Sequence, residues 1–347
     1  MKPVVSNSRI CRDNPCEDKS VSLNKRMLGK SGIEVTEIGL GLWAAGGGDW
    51  GEANSKADAA ALNAIDTALD AGVTFFDTAD VYGPFHSEIL LGKAMQGRRD
   101  RFVVATKIGW QGFDEANNCS GYKTTEQVIA GVETNLQRLQ TDYIDVIQFH
   151  IDFRESTMEV FIEAFEKLQT AGKVRAFGVS SGDFEYIHAF SQNSNCATLQ
   201  IDYSMLNRTP ELEILDYCKA QEIGVIVRGA LAMGLLTGKF TESTSFPDDD
   251  FRHKWLTDPE QNAEFKNDLV KVGKLQSLVN PERTLAQAAL QFVLEHDAVT
   301  TVIPGARNSR QVMANIAAAD APALSDEELA LIGSVTPPAG GRKIWPA

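Results

Sequence analysis

Val73-Thr74-Phe75-Phe76-Asp77, then Phe102-Val103-Val104-Ala105-Thr106-Lys107, then Ile144-Asp145-Val146-Ile147-Gln148-Phe149-His150 are three apolar runs, each ending on a residue able to carry chemistry. Runs this short, separated by stretches of helical period, read as buried parallel strands. Asp77, Lys107 and His150 then stand at the carboxyl ends of successive strands, with Tyr82 just beyond the first. An acid, a phenol, an amine and an imidazole are thereby expected at one rim.

Outward from these runs, strand and helix take turns. Strands are expected at 36–42, 73–77, 102–107, 144–150, 174–180, 198–203, 224–228 and 299–303. Helices are expected at 57–71, 87–95, 125–139, 157–171, 184–191, 210–221, 284–295 and 309–318. Eight alternating pairs imply parallel strands with right-handed crossovers that close into a (β/α)8 TIM barrel, whose active sites occupy the carboxyl-end face. A doubly wound open sheet is the competing architecture. Against it, Gly46-Gly47-Gly48 after the first strand lacks the spacing of a dinucleotide fingerprint, and these glycines read instead as a mobile loop. A long segment after the seventh strand, 231–281, carries Asp248-Asp249-Asp250-Phe251-Arg252 and an extra helix at 259–279; loops of that length are usually functional.

A chain of 347 residues, 43% hydrophobic, can form one elaborated domain. Residues 25–347 are read as the barrel and 1–24 as a flexible extension, polar and punctuated by Pro3 and Pro15. The net charge of -14, with no run of Lys and Arg, argues against nucleic acid as a partner. No stretch approaches the ~20 apolar residues needed to span a bilayer, and the first residues lack the apolar core of a secretory signal, so a cytoplasmic setting is expected. Cys11, Cys16, Cys119, Cys196 and Cys218 have neither disulfide nor zinc spacing. His86 lies near Tyr82 and invites a metal site with Asp77, Asp80 and His150, but Lys107 at the centre of that cluster argues against a divalent cation.

Tyr82 is the expected proton donor. A tyrosine titrates near ~10 and needs its phenolate stabilised to act at neutral pH. Lys107 beside it would lower its pKa, and Asp77 would hold the ammonium by a charge-assisted hydrogen bond. His150 would orient a carbonyl or share the proton. Each residue alone has an ordinary explanation as a cap, a core edge, a solvated charge or a satisfied polar group. Four such accidents at one rim are a poorer account than a hydride-transfer site.

Gly72 to Ala79 followed by Tyr82-Gly83, Ser87-Glu88 and Leu91-Gly92 closely resembles the aldo-keto reductase family. The resemblance runs on through Ala105-Thr106-Lys107, 145–150, Gly172-Lys173-Val174-Arg175, Gly178-Val179-Ser180, 200–203, 234–239 and Ile303-Pro304-Gly305, nearly the whole chain. It implies a barrel, a nicotinamide dinucleotide lying across its mouth, and a catalytic set of Asp77, Tyr82, Lys107 and His150. Ser180, Ser181 and Gln200 match the positions that hold the carboxamide, with Ser181 departing from the usual asparagine. Arg228 stands where many relatives place an aromatic ring against the nicotinamide, and its charge would disfavour the oxidised ring; a salt bridge at the strand end is the plain alternative. Gly229, Leu231, Gly234, Lys239 and Arg252 match the loop that folds over the pyrophosphate. Gly305, Arg307, Gln311 and Asn315 match the stretch that meets the adenosine portion, and Arg307 there favours NADPH, with NADH still open.

Trp43, Trp50 and Trp110 are expected near an apolar substrate pocket, Trp43 also near the cofactor. The expected partner is a small carbonyl or alcohol, in an NADPH-dependent reduction or the reverse oxidation. The family it resembles also contains cofactor-binding auxiliary subunits of potassium channels, but residues 1–24 show no apolar docking face. A metal-dependent barrel lyase is a weaker alternative. Substrate identity and oligomeric state do not follow from the sequence.

Overall fold

The computed structural model describes residues 23–47, 54–113, 119–150 and 158–344. Eight parallel strands form one sheet in sequential order: β1 Leu40–Gly41, β2 Phe75–Asp77, β3 Val103–Ile108, β4 Ile144–His150, β5 Val174–Ser180, β6 Thr198–Asp202, β7 Gly224–Arg228 and β8 Val299–Val302. The sheet closes where the Gly39 amide donates to the Val302 carbonyl (2.8 Å) and the Gly41 amide to the Pro304 carbonyl (3.3 Å). This is the expected (β/α)8 barrel.

Eight helices alternate with these strands, and five of them begin on side-chain caps. They are α1 Ser55–Asp70, α2 His86–Met95, α3 Thr125–Leu139, α4 Met158–Thr170, α5 Phe184–Gln192, α6 Ile214–Ala220, α7 Leu285–Glu295 and α8 Ser309–Ile316. Asn54 caps α1, Asp183 caps α5 and Asn308 caps α8; α3 and α7 start with capping boxes, Thr124 with Gln127 and Thr284 with Gln287.

Two apolar layers follow from the strand period of two. Outward positions such as Phe76, Val104, Ile147 and Phe177 pack against the helices. Inward ones, Phe75, Ala105, Val146, Ala176 and Ile226, fill the lower barrel with Leu28, Ile33 and Val35. One pleat above Phe75, Ala105 and Val146 come Asp77, Lys107 and Gln148, so the site rests directly on this apolar floor.

Several boundaries differ from the sequence expectation. The first strand is not 36–42. Glu34–Thr36 pairs antiparallel with Lys25–Met27 in a hairpin below the barrel, and only Leu40–Gly41 joins the main sheet. Residues 210–221 split into a 3-10 turn, Thr209–Leu212, and α6, while the extra helix after β7 ends at Leu275 rather than 279. A hairpin of Trp110–Phe113 with Cys119–Gly121, a short helix at Lys254–Thr257 and a C-terminal helix at Asp326–Val335 were not expected. The expected 1–24 extension falls outside the described residues except for its last two, and Asn24 is tied down, its amide donating to Glu37 Oε1 at 3.0 Å. Gly48, Trp50, Cys11 and Cys16 also lie outside the described residues.

Among the described residues no helix is long and apolar enough to cross a membrane. Cys196 and Cys218 are buried, and burial pushes both thiols up to about 12.

Candidate active site

β2, β3 and β4 bring the four rim residues together. Lys107 Nζ donates to Asp77 Oδ1 (2.5 Å), the Thr78 carbonyl (2.9 Å) and Tyr82 Oη (3.1 Å), which is the full donor capacity of an ammonium. Asp77 accepts on its other oxygen from Gln200 Nε2 (2.8 Å) and Gln148 Nε2 (3.4 Å). Lys107 is wholly buried and Asp77 nearly so. Burial opposes the charged amine, but the Asp77 carboxylate and the Tyr82 hydroxyl together outweigh it and hold Lys107 above the ordinary lysine value.

Tyr82 corrects an expectation. Lys107 does pull its pKa down, yet burial is the larger effect and leaves the phenol above the ordinary tyrosine value. Tyr82 is therefore neutral at physiological pH. Because the ammonium donates to its oxygen, the phenolic hydrogen points elsewhere. His150 packs edge-on to the Tyr82 ring (centroids 6.0 Å apart) and to Trp110 (5.1 Å). Burial, with Lys107 and Arg228 adding to it, holds the imidazole well below its usual pKa, so it too is neutral, and among the described residues its Nδ1 has no hydrogen-bond partner.

Trp43 follows β1 in a 3-10 turn, 6.1 Å from the Tyr82 ring and stacked at 5.8 Å on Phe251. Ser180 ends β5 opposite His150; the hydroxyl of Ser181 accepts from the Asp183 amide at 3.1 Å. Gln200, expected at a carboxamide, spends its amide nitrogen on Asp77. Arg228 ends β7 with Nη1 3.6 Å from Asp202 Oδ2, so the strand-end salt bridge weighed from sequence is present. Gly229 follows with φ +71°.

The loop after β7 runs back across the rim. Arg252 grips Asp250 through Nε and Nη2 (2.8 and 2.6 Å) and reaches the Met233 carbonyl (3.2 Å), with Gly234 packed beneath it. Arg307 Nη2 approaches the same Asp250 at 3.9 Å. Leu231 is half-buried, whereas Lys239 is exposed and not drawn into this cluster. At the start of α8, Gln311 Oε1 accepts from the Arg307 amide (2.7 Å) and Asn315 Nδ2 donates to the Gly305 carbonyl (3.5 Å).

Sequence reasoning gave no individual role to Gln148, Asp202, Asp250 or Phe251, the last two being named only within the long segment after the seventh strand. For Gln148 a signal was available: it lies two residues before His150 on β4 and so shares its inward face. His86 is drawn away from any metal cluster, its Nε2 lying 2.7 Å from Asp58 on α1.

A closed barrel with a lysine–tyrosine–aspartate cluster at its carboxyl-end mouth defines an oxidoreductase of the barrel class. The chain belongs to the aldo/keto reductase family, whose model matches residues 37–336, and that family uses NAD(P)H on small carbonyl compounds. It is 35% identical to the aldo-keto reductase YhdN of Bacillus subtilis over 83% of this chain and 86% of the relative. It is 30% identical to an NADH-specific methylglyoxal reductase of Escherichia coli, over 85% and 93%. An aldo/keto reductase from Klebsiella pneumoniae, solved in complex with NADP and acetate, superposes with a TM-score of 0.68 at 27% identity, covering 91% of this chain and 96% of that one.

Proposed function

We propose that the protein reduces a small aldehyde, ketone or sugar carbonyl to an alcohol, with Tyr82 as general acid and NADPH as the preferred cofactor. The observation that carries this is the Lys107–Tyr82 hydrogen bond at 3.1 Å, with Lys107 itself fixed by Asp77.

The donor set suits a nicotinamide dinucleotide. The Ser180 and Ser181 hydroxyls and the Gln200 amide oxygen, its nitrogen being held by Asp77, would take the carboxamide, and Arg228 would back the ring. Arg252 and Arg307, with the amino terminus of α8, would face the phosphates. When bound, the reduced nicotinamide supplies hydride to the carbonyl carbon. Tyr82, protonated at neutral pH, donates its hydrogen to the carbonyl oxygen as negative charge grows there. The phenolate so formed lies against the Lys107 ammonium, which Asp77 keeps charged. His150, neutral, steadies the same oxygen by a hydrogen bond. Trp43 and Trp110 would shape an apolar entrance. The preference for NADPH rests on Arg307, whose guanidinium can meet a 2′-phosphate. A cofactor that dissociates needs a nicotinamide pool, which agrees with a cytoplasmic setting.

Tyr82→Phe should lower turnover by ~10²-fold or more while dinucleotide binding persists. A panel of carbonyls and alcohols, followed at the absorbance of reduced nicotinamide with each dinucleotide, measures this; turnover unchanged in the variant refutes the role of Tyr82.

A further inference from the structure

Asp202 is a buried carboxylate at the end of β6 that the reaction just described does not use. Several features fix it in place. Asn207 Nδ2 donates to Asp202 Oδ1 (2.7 Å) and to the Asp202 main-chain carbonyl (3.0 Å). Among the described residues its Oδ2 has no hydrogen-bond partner, and it lies 3.6 Å from Arg228 Nη1. β6 and β7 pair in register Asp202 to Arg228, so the two charges face each other across adjacent strands. A Cβ on Gly229 would overlap the Asp202 carboxylate, and the residue's φ of +71° also favours glycine, so the chain leaves room for this carboxylate directly behind Arg228. Lys343, from the C-terminal tail, lines the same cleft.

From this arrangement we infer that Asp202 is a positioning residue that offsets the charge of Arg228 and thereby sets the relative affinity for oxidised and reduced nicotinamide. The inference rests on the reading that Arg228 backs the nicotinamide ring. The oxidised ring is a cation and the reduced ring is neutral, so an uncompensated guanidinium behind it would repel only the oxidised form. A carboxylate paired with that guanidinium cancels most of the field at ring distance, since two opposite charges close together act as a dipole. With Asp202 in place, both forms can be held, which is what an enzyme working on carbonyl and alcohol alike requires. The bias toward reduced cofactor expected from Arg228 alone is therefore the behaviour of a chain lacking Asp202.

The test is direct binding of NADP⁺ and NADPH to the full chain by calorimetry at low salt, comparing wild type, Asp202→Asn, Arg228→Leu and the double variant. Asp202→Asn should raise the ratio of the oxidised to the reduced dissociation constant by about tenfold. Arg228→Leu, which removes the guanidinium facing the carboxylate, should lower that ratio, and it reads out even if the asparagine variant fails to fold. The double variant should return close to the wild-type ratio. A purely structural role for Asp202 would weaken both forms together. An unmoved ratio in both single variants, or shifts of the same sign, overturns the inference while leaving the functional reading intact. Wild-type protein that binds neither form overturns the functional reading and the inference with it.

Discussion

Burying a lysine costs several kcal/mol unless the ammonium is paired and its donors are used. Lys107 meets both conditions through Asp77, Thr78 and Tyr82. Asp80, three residues from Asp77, does not. It is buried, its Oδ1 has no hydrogen-bond partner among the described residues, and burial, with Glu88 adding to it, raises its carboxyl well above the usual value against the pull of Arg138. Arg138 Nε is already committed to Glu88 at 2.6 Å. The sign of the linkage follows. With the native pKa above the unfolded one, the folded state holds the extra proton between the two values, so stability falls as pH rises through that window and is lost above the native pKa. Asp80→Asn should therefore match wild type near pH 4 and become more stable at pH 8 to 9, by ~1–3 kcal/mol, the cost of a buried unsatisfied group. Thermal unfolding across that range measures it; a variant less stable than wild type at high pH would contradict the assignment. The four residues proposed as catalytic were legible in the sequence because Asp77, Lys107 and His150 end short apolar runs and Tyr82 follows just beyond the first. Asp80 and Asp202 were not, because their significance lies in partners that fold from distant segments.

At the scale of elements, the sequence was most readable where one pattern governed a whole segment. Ile144–His150, Val174–Ser180, Gly224–Arg228 and Thr125–Leu139 have the expected bounds. The expected first strand fused two elements because the apolar positions of the hairpin, Ile33 and Val35, are followed closely by Ile38, Leu40 and Leu42, and only the change of phase at Glu37 separates them. The hairpin has its own structural demand. At its turn Gly29 has φ +52°, and a Cβ there would fall against the backbone of Gly224 and Glu222 and, at 2.8 Å, the Ala197 carbonyl. The Lys30 amide donates to the Glu222 carbonyl at 2.8 Å, docking the turn beneath β7. Gly29→Ala combines a left-handed conformation, unfavourable by ~1–2 kcal/mol for alanine, with displacement of a turn that seals the barrel floor. A destabilisation of ~2–4 kcal/mol is expected from urea unfolding. A change below ~0.5 kcal/mol would mean that the floor tolerates a shift of the turn.

For the molecule as a whole, the C-terminal segment joins parts that no single element connects, and its effect can be measured. The Arg208 amide donates to the Gly340 carbonyl (2.8 Å) and the Arg342 amide to that of Leu206 (3.1 Å), tying the tail to the loop after β6. Arg342 Nη2 then reaches Asp268 Oδ2 at 2.5 Å, on the helix Pro259–Leu275 that follows β7. One arginine thus connects the chain end to the segment that crosses the proposed cofactor groove, next to the cleft where Lys343 lies with Asp202 and Arg228. Asp268 is 1% exposed; burial raises its carboxyl pKa, and Arg342 is the first effect opposing this. Among the described residues, Arg342→Ala leaves that carboxylate with Lys271, 3.9 Å away, as its ion-pair partner. Removing one member of a buried pair typically costs ~3–5 kcal/mol, and the half-exposed guanidinium here places the expectation nearer ~2–3 kcal/mol at pH 8. The loss should shrink as pH falls, because Asp268 can then take up a proton and no longer needs a cation. Urea unfolding of wild type and variant at pH 8 and pH 5 decides it. A deficit that stays constant with pH would assign the contribution of Arg342 to the packing of its side chain rather than to this ion pair.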